Sequence, residues 1–219
     1  GDYSLSKETK DRLIDLNKIG KYLNVKWRKI FNLTKNYPIE TLSVWSTISS
    51  IISEDELKTF DCGIPKLNDA LIQYHNKYDT GSGRVFIITK DTKIMGFVIC
   101  SLVCISAIAS SEGMKDIGVS IDYLAVDKSE RNKGIGSLLL FLALRLALTI
   151  HCILPINGVK LYALEDAVEF YKKYGFTDTR PDGAFDNGQA VLMLFPIQEL
   201  FDIGIVPFTE VFNTQLGKI

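Results

Sequence analysis

Ile121-Asp122-Tyr123-Leu124-Ala125-Val126-Asp127-Lys128-Ser129-Glu130-Arg131-Asn132-Lys133-Gly134-Ile135-Gly136-Ser137-Leu138 runs from an apolar strand pattern, through a short basic loop with two glycines, into a long apolar helix. The first turn of a helix has backbone N–H groups without intrahelical partners, and the helix dipole makes that end partly positive. A phosphate can sit there if no side chain obstructs it. Gly134 and Gly136 remove the obstruction, while Arg131 and Lys133 add positive charge. Hydrogen bonds with a charged partner contribute about 1.5–3 kcal/mol each, so three or four anchor a diphosphate. Gly-x-Gly alone is common at helix starts. A dinucleotide fingerprint needs a third glycine where Leu139 stands, and a P-loop needs Gly-Lys-Ser/Thr, which this segment lacks.

Upstream of this stretch, Val85 to Thr89 and Ile94 to Ser101 are β-branched apolar runs separated by Lys90-Asp91-Thr92-Lys93, a hairpin pattern. Thr41 to Ser49 alternates as a strand. Asp61-Cys62-Gly63-Ile64-Pro65 is a turn that launches a helix through about Tyr78, closed by Thr80-Gly81-Ser82-Gly83. Downstream the order is helix (Gly134 to about Ile150), strand (Val159 to Ala163), helix (Ala167 to Tyr174) and strand (Ala190 to Phe195). Hairpin strands followed by β-α-β units predict an α/β (α+β) fold: a mixed sheet with helices on its faces.

Residues 1–40 differ in character. Leu13, Leu16, Leu23, Trp27, Ile30 and Phe31 recur at helical spacing among lysines and arginines until Pro38. This reads as an N-terminal helical extension that either packs on the domain or meets a partner or RNA. The expected division is extension 1–40, catalytic domain 41–199 and C-terminal tail 200–219. At 219 residues the chain suits one domain with an appendage.

A net charge of -1 excludes a nucleic-acid binder that works by bulk charge, although Lys18, Lys21, Lys26, Arg28, Lys29 and Lys35 form a local basic patch. Cys62, Cys100, Cys104 and Cys152 are scattered without a C-x-x-C pair, and the histidines are His75 and His151, so no metal site is expected. The apolar run from Leu138 to Leu154 is short for a membrane span and carries Arg145 in its middle, which predicts a buried helix and no membrane. No charged-plus-apolar leader is visible, so the expected location is cytoplasmic.

Arg131-Asn132-Lys133-Gly134-Ile135-Gly136 resembles the coenzyme A signature Arg/Gln-x-x-Gly-x-Gly/Ala of the GNAT superfamily of N-acetyltransferases, and Leu124-Ala125-Val126 resembles the strand that precedes it there. Ala167-Val168-Glu169-Phe170-Tyr171-Lys172-Lys173-Tyr174-Gly175-Phe176 is similar to a second family element, Ala-x-x-Phe-Tyr-x-x-x-Gly-Phe. The resemblance covers roughly Thr41 to Glu199. It implies a strongly bent mixed sheet in which the strand ending at Val126 splays from its neighbour and admits the acyl-pantetheine. It implies acetyl-CoA as co-substrate, with coenzyme contacts at Leu124, Ala125, Val126, Arg131, Asn132, Lys133, Gly134, Ile135, Gly136 and Ser137.

By the same resemblance, Tyr171 stands where the family commonly carries the acid that protonates the leaving thiolate. A phenol with a reference pKa near 10 is protonated at neutral pH. Asp122 is the candidate base, directly or through water, and equally reads as a strand-end charge facing solvent; Ser120 is a weaker alternative. Members often carry an Asn before the second element, whereas Tyr162-Ala163-Leu164-Glu165-Asp166 has none, leaving Glu165 or Asp166 to substitute.

Phe60-Asp61-Cys62-Gly63-Ile64-Pro65-Lys66-Leu67-Asn68-Asp69-Ala70-Leu71 resembles the Phe-x-Cys-Gly-x-x-x-Leu-Asn-x-x-Leu opening of GNAT toxins of toxin–antitoxin modules, which acetylate the amino group of aminoacyl-tRNA. Three readings stand: acetylation of a primary amine on a small molecule or peptide, acetylation of aminoacyl-tRNA, and a non-catalytic acyl-CoA-binding module. The expected partners are an amine acceptor, tRNA under the second reading, and a homodimer mate or antitoxin.

Overall fold

A computed structural model of the chain describes residues 27, 29–30, 39–41, 53–76, 83–91, 93–104, 117–180, 190–205 and 207–208. Seven strands, β1 (Ile39–Thr41), β2 (Arg84–Lys90), β3 (Lys93–Cys104), β4 (Ile117–Val126), β5 (Gly158–Ala163), β6 (Thr177–Asp178) and β7 (Val191–Pro196), form one sheet in the order β1-β2-β3-β4-β5-β7-β6. Every neighbouring pair is antiparallel except β4 and β5. A parallel pair needs a crossover, and helix α3 (Ile135–Ile153) supplies it. Shorter helices are α1 (Glu54–Lys58), α2 (Pro65–Asn76), α4 (Val168–Lys173) and α5 (Ile197–Asp202). The expected mixed sheet flanked by helices is the architecture observed. Of the strand expected over Thr41 to Ser49, residues 42–49 lie outside the described residues, as do residues 80–82 of the expected loop.

The sheet buries both faces. Phe86, Ile88, Val98, Val119 and Ile121 point to a large core filled by α3, while Val85, Ile87, Phe97, Ile99 and Ala125 point to a smaller one with Leu57, Phe60 and Leu71. Side chains on a strand alternate between faces, so one extra residue inverts everything after it. This happens within β4. Ile99 pairs with Tyr123 and Cys100 with Ile121, so Asp122 is the extra residue of a bulge. Before it the odd-numbered Val119 and Ile121 face α3; after it the even-numbered Leu124 and Val126 do.

The apolar run read as a buried helix is α3, whose residues Leu138 to Leu144 are each at most 1% exposed. Its one charge is used internally. Arg145 is buried, donates from Nη2 to the Pro207 carbonyl at 3.1 Å, and lies 4.2 Å from the Phe208 ring centre. Leu200 and Ile205 are buried in the same core, so the segment after β7 packs on the domain. Trp27 is buried there too, 5.8 Å from Phe141 and 5.2 Å from Tyr174 between ring centres. Helix α1 was not foreseen, although its start was legible: Ser53 and Glu56 form a capping box, the Ser-x-x-Glu pattern that satisfies two backbone N–H groups at a helix start.

Candidate active site

Beyond β4 the chain makes a single 3-10 turn, Lys128–Glu130, and then two left-handed residues, Asn132 (φ 63°) and Gly134 (φ 85°), before α3 begins. Left-handed backbone favours glycine, which has no Cβ to strain, and glycine stands at 134. Gly134 is the N-cap of α3, and no side chain caps the helix. Its carbonyl accepts from the Leu138 N–H at 3.0 Å, which leaves the N–H groups of Ile135, Gly136 and Ser137 for a ligand. A Cβ at Gly136 would lie 3.6 Å from Val126 Cγ2 and 3.7 Å from Phe170 Cζ. Any longer side chain would fill the space between strand and helix.

That space belongs to an open cavity of about 890 Å³. It is lined by Val126, Glu130, Arg131, Asn132, Gly134, Ile135, Gly136 and Ser137, by Phe170 and Lys173 of α4 with Tyr174 just after it, and by Lys29 and Ile30. The Tyr174 hydroxyl is hydrogen-bonded to Ser137 Oγ at 2.6 Å, tying α4 to the first turn of α3. Of the two predicted cations, Arg131 lines the cavity while its Nη2 donates to the Cys62 carbonyl at 2.6 Å, whereas Lys133 pairs with Glu130 at 2.8 Å and is not among the lining residues.

The Cys62 contact is one of several that join the toxin-like opening to this loop. Asp61 N–H donates to the Asp127 carboxylate at 3.1 Å, Lys128 N–H donates to the Asp61 carbonyl at 2.9 Å, and Lys128 Nζ donates to the Asp61 carboxylate at 2.5 Å. The turn is itself locked. Asn68 accepts from Cys62 N–H at 3.0 Å and donates to the Asp61 carboxylate at 3.2 Å, and Gly63 N–H donates to that carboxylate at 2.7 Å. The Lys128 ammonium, with the Gly63 and Asn68 donors, holds the Asp61 carboxyl down at about 2. Asp127 is buried. Burial opposes its charge, but bonds from Ser129 and the Asp61 N–H, with Lys93 nearby, hold its carboxyl below the usual range. The sequence reading missed Asp127. Its signal was an Asp two residues before a Ser, where the carboxylate accepts from Ser129 N–H at 2.9 Å and from Ser129 Oγ at 2.6 Å.

The two strands that should splay do so. β4 and β5 pair only over Val119 to Ile121 against Val159 to Leu161, so Asp122 to Val126 have β3 on one edge and no ladder to β5 on the other. Backbone groups along that edge can meet a ligand carbonyl. Val126, at its end, also lines the cavity. Leu124 is partly buried against the α3 core and Ala125 is buried on the opposite face, so these two residues present backbone to the gap. Asp122 is exposed in its bulge, and Ser120 is buried in the ladder opposite Lys160.

Tyr171 is 8% exposed, packed edge-on to Phe170 (5.0 Å) and Phe176 (5.7 Å). Among the described residues nothing hydrogen-bonds its hydroxyl, and burial pushes its pKa up to about 12. Glu165, offered as a substitute for the family's Asn, accepts from Arg180 Nη1 at 2.7 Å, and Glu165 and Asp166 do not line the cavity.

A mixed sheet with one parallel pair that opens beside a glycine-started, uncapped helix defines a class, and residues 81–178 match the family described as acetyltransferase (GNAT) domain. That match spans just under half of the chain. Its fold is shared with toxin–antitoxin acetyltransferases. The KacTA–DNA complex superposes with a TM-score of 0.59 at 23% identity, over 76% of this chain and 98% of that one. AtaTR bound with acetyl-CoA gives 0.59 at 24% identity, over 75% and 96%. AtaT complexed with acetyl-methionyl-tRNAfMet gives 0.59 at 23% identity, over 75% and 97%. No curated protein matches the chain by sequence.

Proposed function

We propose that the chain is an acetyl-CoA-dependent N-acetyltransferase. The observation that carries this reading is the first turn of α3. There an uncapped helix N-terminus with left-handed Gly134 and side-chain-free Gly136 opens on a cavity that reaches the parted edge of β4. Acetyl-CoA, when bound, supplies an activated thioester. The N–H groups of Ile135, Gly136 and Ser137 hold its diphosphate. The free edge of β4 near Val126 polarises the carbonyl. Tyr171, kept protonated by burial, gives its proton to the departing sulfur. Asp122, exposed beside the gap, takes a proton from the acceptor ammonium directly or through water.

The acceptor we favour is the α-amino group of an aminoacyl-tRNA. Two observations support it: the likeness in fold to AtaT complexed with acetyl-methionyl-tRNAfMet, and the Phe60 to Leu71 turn bound by four polar contacts to the loop after β4. An antitoxin partner goes with this reading. Mixing the protein with acetyl-CoA and either charged tRNA or a panel of small and peptidyl amines, and following thiol release, tests it. Release with charged tRNA alone is expected. Release only with small amines restores the simpler acceptor, and no release with any acceptor leaves a coenzyme-binding module.

A further inference from the structure

Part of the lining of the donor cavity comes from outside the GNAT match. Lys29 and Ile30 line the same cavity as Gly134, Gly136, Lys173 and Tyr174, yet they lie more than fifty residues before residue 81, where that match begins. About a quarter of the chain has no counterpart in the KacTA and AtaTR structures, which cover 76% and 75% of it. The placement is fixed by packing. Trp27 and Ile30, three residues apart and so on one helical face, are 2% and 5% exposed in the main core, and the Trp27 ring lies 5.2 Å from Tyr174. Tyr174 is in turn bonded to Ser137 in the first turn of α3. With that face buried, Lys29 stays exposed at the cavity.

The ligand's charges have to be matched by something. The helix N-terminus takes the diphosphate, but the nucleotide end of coenzyme A also carries a 3′-phosphate dianion. The loop's own cations have partners in the domain: Lys128 with Asp61, Lys133 with Glu130, and Arg131 with the Cys62 carbonyl. Among the described residues the cavity lining nevertheless holds Lys29, Arg131 and Lys173 against the carboxylate of Glu130. We propose that the N-terminal extension is part of the donor site, with Lys29 binding the 3′-phosphate of the coenzyme from a wall held in place by Trp27. This rests on the acetyl-CoA reading above.

The test uses the full chain and calorimetric binding of coenzyme A and of 3′-dephospho-coenzyme A to the wild type, Lys29→Gln and Gly136→Leu. Lys29 is exposed, so its replacement leaves the core intact. An exposed cation facing a dianion is worth about 1 kcal/mol, so Lys29→Gln is expected to bind coenzyme A about fivefold more weakly and to bind the dephospho form like the wild type. Equal loss on both ligands, or loss on neither, overturns the assignment while leaving the cradle standing, because Gly136→Leu then still weakens both. If the wild type binds neither ligand, or Gly136→Leu binds as well as wild type, the donor-site reading fails and this assignment fails with it.

Discussion

Between Asp127 and Lys133 the side chains of Asp127, Lys128, Ser129, Glu130, Arg131 and Lys133 are each tied to a partner in the domain, whereas from Asp122 to Val126 the strand leaves one edge without a ladder. The first region is held by side-chain contacts, and a site fixed in shape costs less to bind a charged diphosphate. The second leaves a backbone edge without a ladder, the kind of edge that can polarise a carbonyl. Under the function we propose, affinity and chemistry fall to different parts of one continuous stretch of chain.

The contrast is broken most sharply at Tyr171. Tyr171→Phe keeps the ring packing and removes the proton donor, so kcat is expected to fall by about 10²–10⁴-fold with coenzyme binding unchanged. A steady-state assay beside a binding titration separates the two, and a rate within twofold of wild type removes the acid role. The same hydroxyl gives a pH signature. Folded Tyr171 holds its proton to about 12 while the unfolded phenol releases it near 10. Its contribution to stability is therefore fully present below pH 10 and is lost as pH rises from 10 to 12. The loss amounts to about 3 kcal/mol at 1.36 kcal/mol per unit. Denaturant melts of wild type and Tyr171→Phe are expected to separate across that range, with wild type falling below the variant as pH rises and the variant unchanged by this site.

On the binding side, Gly136→Leu fills the space between Val126 and Phe170 and is expected to raise Kd for coenzyme A about a hundredfold, since it blocks close approach to the helix N-terminus. Asp127→Asn leaves shape but removes the charge that holds the Asp61 N–H and Ser129. A loss of about 1–2 kcal/mol of stability and a KM for acetyl-CoA raised severalfold, with kcat kept, are the expected outcome. The smallest effect is expected at Lys133, whose pair with Glu130 is half exposed. Lys133→Ala should shift the melting temperature and coenzyme affinity by less than about twofold-equivalent energy, near 0.4 kcal/mol.

Much of this site was legible beforehand for a local reason. Helix starts, hairpins and glycine-permitted turns are decided within a few residues, so the strand–loop–helix unit, the positions of Gly134 and Gly136, and the helix bearing Tyr171 follow from pattern. Side-chain destinations do not. The charges of Arg131 and Lys133 are visible in sequence, but the Cys62 carbonyl to which Arg131 donates is 69 residues away.

The amino-acid sequence by itself determined the alternation of elements, the burial of the apolar helix and the glycine turn that starts α3, because each rests on periodicity or on the conformational range of single residues. Only the tertiary structure decided the bulge at Asp122 that inverts the end of β4, the parting of β4 from β5, and the seating of Trp27 and Lys29 beside the cavity at the start of α3. Those depend on register and on packing between segments far apart in the chain, and no short-range rule carries that information.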